Sequence, residues 1–129
     1  MKIAGQSGKE KGAMRYGGEI PPRIRDIVCG HIADYGRREK LLARASKLSR
    51  VDLRLRQYNR GVDRAFEQAL NAHGIHGAAA EVLRRDVLAL ASGRLARSVN
   101  SPDATMSRGL YIAIREDVFF FTAREFGLI

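Results

Sequence analysis

The sequence predicts an all-α protein: a small bundle of about four helices, preceded by a flexible basic N-terminal arm. Apolar residues recur at spacings of three and four in several separate stretches, which is the period of a helix with one buried face. Proline, serine and glycine separate these stretches at positions where helices start and stop. With 129 residues, 45% of them hydrophobic, the chain can bury a core. We expect an arm over 1–20 and a single helical domain over 21–129.

The arm is predicted from its glycines. Residues 1–20 contain five glycines among polar side chains and keep neither a helical nor a strand period. They carry four basic and two acidic residues. Two interpretations remain open, an unstructured tail and a basic arm that lies along a phosphate backbone.

The first helix is predicted over 22–46. Pro21 and Pro22 suit a first helical turn, where the missing N–H costs nothing. Gly36 is the position where a bend is expected. The apolar face consists of Ile24, Ile27, Val28, His31, Ile32 and Tyr35.

The second helix, over 50–72, has the clearest periodicity. Ser49 is a predicted N-cap with Asp52 three residues later, and His73-Gly74 ends the helix. Its apolar face consists of Val51, Leu55, Tyr58, Val62, Ala65 and Ala69.

In the rest of the chain, the sequence predicts a third helix over 76–92, which Gly93 ends, and a helix start or turn at Ser101-Pro102.

The segment 110–122 leaves two alternatives. Its apolar residues fit one broad helical face, but its β-branched and aromatic residues also fit a β-hairpin. Since neither Gly, Asn nor Pro marks a tight turn there, the helix is favoured.

The net charge of +9 indicates the class of partner. Basic residues concentrate between Arg23 and Arg64, whereas residues 101–129 carry three bases and four acids. Such a distribution is typical of proteins that bind a polyanion, most often nucleic acid. A lone cysteine excludes an intrachain disulfide, and neither a secretory signal nor a membrane-spanning run is visible, so we expect a cytoplasmic protein.

Two clusters are candidate phosphate contacts. One follows the end of the first predicted helix, where cations also complement the helix dipole. The other forms a stripe on the second helix, where guanidinium groups match phosphate oxygens in pairs. An antiparallel pair of helices would join the clusters, although solvated charged faces would explain both without a ligand. The candidates are Arg37, Arg38, Lys40, Arg44 and Lys47, then Arg50, Arg54, Arg56, Arg60 and Arg64.

Three consecutive rings, Phe119 to Phe121, cannot all face one core from a regular helix. Phe121 is expected to point inward, while Phe119 and Phe120 are candidates for a partner interface. The acidic pair Glu116-Asp117 is interpreted as a solvated helix edge. We predict no catalytic residues, no metal site and no cofactor, because neither a catalytic motif nor a ligand set with suitable spacing is present.

The C-terminal half resembles phage-type transcriptional regulators of the ArpU/RinA type, over about residues 78–129. These proteins have a C-terminal helix-turn-helix akin to sigma factor region four. The resemblance implies DNA binding, with Arg108 and Arg115 at the start of a recognition helix and Phe121 and Leu128 on its inward face. The matching residues are Ser101-Pro102, Met106-Ser107, Tyr111, Arg115, Val118 and the segment 123–129.

Three functions are therefore carried forward, none of them enzymatic. The first is a nucleic-acid-binding protein, with DNA favoured over RNA, that regulates transcription in a phage or mobile element. A homodimer is one possible form of this regulator. The second is a small phage-encoded inhibitor, anti-CRISPR-like, that binds a host nucleoprotein or its nucleic-acid groove. The third is an RNA-binding protein. No membrane partner is expected.

Overall fold

The computed structural model describes residues 14–47, 49–91 and 107–129. Within these ranges the fold is all-α, as predicted, with five helices and no strands. They are α1 (Pro22–Ala33), α2 (Tyr35–Arg44), α3 (Arg50–Ala72), α4 (Gly77–Ala91) and α5 (Arg108–Glu125). The predicted stop at Gly93, the pair Ser101-Pro102 and the first thirteen residues of the predicted arm lie outside the described residues.

The first predicted helix is divided in two. α1 ends at Ala33 and α2 begins at Tyr35, so the break falls at Asp34 rather than at Gly36. The division lets α1 pack on α4 and α5 while α2 packs on α3. The apolar residues keep the same helical period through α1 and α2, which is why the sequence predicts a single helix there.

α3 forms as its sequence predicts. The Ser49 hydroxyl accepts from the Asp52 amide at 3.1 Å, and the Asp52 carboxylate accepts from the Ser49 amide at 3.0 Å, so the capping box is complete. His73 ends the helix, and Gly74 adopts a φ of 72°, which favours glycine.

The segment 110–122 is helical, which excludes the β-hairpin alternative. α5 is capped by the Ser107 hydroxyl, which accepts from the Leu110 amide at 3.1 Å. It packs on α3 and α1 and occupies the centre of the bundle. Large core side chains come from every helix, and they include Val28, Ile32, Tyr35, Val62, Phe66, Leu83, Val87, Tyr111, Ile114 and Val118.

The central place of α5 corrects two predictions. Phe119 is only 4% exposed, so its ring is not available as a partner interface, whereas Phe120 lies beside Gly17 and Gly18, is partly exposed and stays a candidate. The predicted solvated pair is also wrong, because Asp117 is 0% exposed. Apolar residues occur on all sides of α5, as in a buried helix, and half of its 18 residues are buried.

Asp117 anchors the chain that precedes α1. Its carboxylate accepts from the Tyr16 amide at 3.0 Å and from the Gly17 amide at 2.8 Å, and it bonds His73 Nε2 at 2.7 Å. The Tyr16 ring meets the His73 ring edge-on, with 4.9 Å between centroids. These contacts correct the predicted arm at Tyr16 and Gly17, where the backbone is fixed to α5 rather than flexible.

Candidate nucleic-acid interface

α2 and α3 run antiparallel, as predicted, and this brings the two basic clusters together. Tyr35 Oη donates to Asp63 Oδ1 at 2.7 Å, while Arg38 Nε donates to Asn59 Oδ1 at 2.6 Å. The partner number falls as the residue number rises, which only an antiparallel pair produces. The C-terminal half of α2 therefore lies beside the N-terminal half of α3.

Seven basic side chains at this end of the helix pair are exposed. No ion pair with a described residue holds any of them, so their donors face solvent. Residues 40–60 contain these seven bases and a single acid, Asp52, which is occupied in the capping box of α3. We call the seven the basic patch, and they are Lys40, Arg44, Lys47, Arg50, Arg54, Arg56 and Arg60.

Four other predicted phosphate contacts are engaged within the protein. Arg38 is the clearest correction, because it is 6% exposed and cannot reach a ligand. Arg37 pairs with Asp34 at 3.1 Å and Arg64 with Glu125 at 2.8 Å. Arg115 pairs with Glu116 at 3.0 Å. Internal partners thus reduce the charge that these positions offer to a polyanion.

Arg38 instead closes the α2–α3 contact. Its Nη2 donates to the His31 carbonyl at 2.6 Å, and its guanidinium lies over the Tyr58 ring at 5.7 Å. Burial lowers the pKa of Arg38, and it also lowers the pKa of His31 together with the nearby Arg38 charge. The Arg38 charge is therefore a structural one, satisfied by Asn59 and by a backbone carbonyl.

Arg25, Arg115 and Glu116 form a further internal cluster, between α1 and α5. Both Arg25 and Arg115 donate to Glu116, with Arg25 Nη2 at 2.6 Å from Oε2. Burial alone would raise the pKa of Glu116, but the hydrogen bonds from Arg25 and Arg115 outweigh it and hold the pKa below its ordinary value. Arg115 is half-buried here, whereas Arg108 is exposed in the first turn of α5.

Sequence reasoning missed two features at this end of the molecule. Leu41, Val51 and Leu53 are 45%, 67% and 48% exposed, so large apolar side chains lie among the basic ones. The sequence places Val51 on the apolar face of its helix, but this first turn extends past the core. The second missed feature is a groove between α2 and α4.

Metal-binding groups and membrane-spanning helices are two further features that the described residues lack. No three side chains of His, Cys, Asp or Glu are grouped there so as to hold a metal ion. Nor does any described helix combine the length and the apolar character needed to cross a bilayer. No protein-family model, curated protein or solved structure matches the chain. The resemblance to phage regulators therefore stays a prediction.

Proposed function

We propose that this protein binds nucleic acid, with the basic patch as its contact to the phosphate backbone. The observation that carries the proposal is seven exposed cations within 21 residues that contain a single, already occupied, acid. Arginines on a helix present rigid, paired donors to phosphate oxygens. Charge of this kind gives affinity without sequence readout. A role in transcription, as the phage-regulator resemblance implies, is a further step of this proposal.

The experiment is a salt titration of binding to random duplex DNA. Each neutralised phosphate lowers the slope of log K against log salt by about 0.9. Arg56→Glu with Arg60→Glu should remove roughly two phosphate contacts, which makes the slope less steep by about 1.8 and weakens binding strongly at low salt. The matched control is Arg15→Glu with Arg23→Glu, which makes the same charge change on exposed side chains outside the patch.

Two results would refute the proposal: an affinity that does not change with salt, or a patch variant that binds as the control does. Circular dichroism checks that both variants keep the wild-type unfolding midpoint, which matters for the control because Arg15 Nη2 donates to the Gly18 carbonyl at 3.2 Å. Competition between duplex DNA and duplex RNA of equal length then separates the DNA-binding version from the RNA-binding one.

A second candidate function has one observation in its favour. Leu41, Val51 and Leu53 expose apolar surface within the patch, and phosphates offer nothing apolar to cover it. A host nucleoprotein offers both an acidic and an apolar surface, as the inhibitor hypothesis requires. Recovery of a stoichiometric host protein after nuclease treatment, lost in Val51→Lys with Leu53→Lys, would favour this function. Recovery that nuclease abolishes would favour nucleic acid binding alone.

A further inference from the structure

A groove of about 680 Å³ lies between α2 and α4, which do not pack closely against each other. Its volume falls within the range of about 300–1,000 Å³ that small-molecule sites occupy. Five bases and two acids line it; Arg37 and Arg84 are paired with Asp34 and Asp63, which leaves three bases without an ion pair to a described residue and a small positive excess over the two acids. The bases are Arg37, Lys40, Arg44, Arg84 and Arg85, and the acids are Glu39 and Glu81.

Arg84 is the fixed donor of this groove. Its Nη2 donates to Tyr35 Oη at 2.7 Å and to Asp63 Oδ1 at 2.5 Å. Its guanidinium lies over the rings of Tyr35 and Phe66, at 4.9 and 5.0 Å. The side chain is only 24% exposed, so little rotamer freedom remains to be lost on binding.

The arrangement leaves donors for a ligand. Arg84 uses only Nη2 in its hydrogen bonds to described residues, so the N–H groups on Nε and Nη1 have no partner there. Burial and the hydrogen bond to Asp63 raise the pKa of Tyr35 to about 12. The phenol therefore keeps its proton at neutral pH and continues to donate to Asp63, which keeps Arg84 in place.

Apolar side chains form the rest of the wall. The partly buried Leu88 and the exposed Leu41 offer apolar surface in the groove, whereas Ile32, which also lines it, is 1% exposed. A ligand that suits both parts carries an anionic group for the arginines and a flat apolar face for these side chains. A nucleotide has both, since its phosphate can accept from arginines and the face of its base can be buried against aliphatic side chains.

The groove is continuous with the basic patch, because Lys40 and Arg44 belong to both. We propose that the α2–α4 groove receives one unpaired nucleotide of a single strand whose neighbouring phosphates lie on the basic patch. This inference rests on the proposed function and narrows it, since a paired base in a duplex cannot enter the groove. An acidic apolar peptide is the competing occupant.

Gly36 allows the groove to be filled without disturbing the fold. It lines the groove, lies in α2 and has open space where a Cβ would be. Gly36→Phe should occupy the groove with a ring, while Gly36→Ala adds only a methyl group. Gly30 is a matched control, because it is also helical, exposed and open at Cβ but does not line the groove. Gly30→Phe therefore adds the same ring elsewhere.

The test compares three fluorescein-labelled probes of equal phosphate count: oligothymidylate, an abasic oligomer and a random duplex. We expect the wild type to bind oligothymidylate about tenfold more tightly than the abasic oligomer, which is the scale of one base contact. Gly36→Phe should remove that difference and leave abasic and duplex binding unchanged. Gly36→Ala and Gly30→Phe should behave as the wild type.

The outcomes separate the two proposals. If no probe binds at low salt, the proposed function fails and this inference fails with it. Two results would overturn only the groove assignment while all three probes bind. Either the wild type binds oligothymidylate and the abasic oligomer equally well, or Gly36→Phe keeps the preference for oligothymidylate. If Gly36→Phe affects none of the probes but abolishes binding of an alternating Glu-Leu peptide, the groove belongs to an acidic peptide instead.

Discussion

Replacing Asp117 by alanine is the sharpest test of the fold. The carboxylate is fully buried and accepts from three donors: the amides of Tyr16 and Gly17 and the ring of His73. Alanine removes every acceptor at once and leaves the His73 ring, whose side chain is only 4% exposed, without its partner. The Asp117 network joins α5 to the end of α3 and to the chain before α1.

The magnitude follows from the number and burial of these bonds. Each hydrogen bond to a charged group contributes about 1.5–3 kcal/mol, and removing one member of a buried pair costs about 3–5 kcal/mol. The three bonds together would therefore contribute about 4.5–9 kcal/mol. Because water can reach the exposed edge of Tyr16 after the change, we expect the smaller cost of breaking a buried pair, a loss of about 3–5 kcal/mol. A domain of this size has about 5–15 kcal/mol in total. The melting temperature should fall by on the order of 10 °C.

The assay is urea unfolding followed by far-ultraviolet circular dichroism, analysed for both midpoint and slope. Asp26→Ala is the control, since Asp26 is exposed and such surface changes alter stability by only about 0.5 kcal/mol. Trypsin cleavage after Arg15 reports on the anchor itself and should accelerate in Asp117→Ala. A variant as stable as the control, with unchanged cleavage, would refute the buried network.

Two further predictions concern packing and pH. Gly61→Ala should destabilise the protein by about 1–3 kcal/mol in urea unfolding, because the new Cβ would lie 2.6 Å from Phe126 Cε1. Gly30→Ala, where the Cβ has open space, should instead stabilise it by up to about 1 kcal/mol through helix propensity. Equal effects of the two substitutions would contradict the close approach of Phe126 to Gly61. Since the pKa of Glu116 is lowered by folding, its contribution is complete above the ordinary value of 4.5 and is lost as pH falls below it. Glu116→Gln should therefore flatten the acid limb of the stability–pH profile, and an unchanged limb would show that other carboxylates produce it.

The sequence predicts most of the helices because their signals are local. The capping box at Ser49 and the stop at His73-Gly74 fix α3 at both ends. The break at Asp34 and the burial of Asp117 have no local signal, since both depend on what packs against α1 and α5. The one available clue to Asp117 is that apolar residues occur on all sides of α5, which indicates a helix covered by neighbours.

The same distinction between local and distant signals explains which of the predicted phosphate contacts are exposed in the structure and which are paired within the protein. Arg64 is paired by Glu125, 61 residues away, and Arg38 is satisfied by Asn59 across a helix interface. No pattern within one helix predicts either partner, so a count of arginines overstates the charge available to a ligand. The basic patch differs because residues 40–60 hold one acid, and that acid caps α3. A local deficit of acids, rather than an excess of bases, is therefore the property that distinguishes these exposed cations from the paired ones.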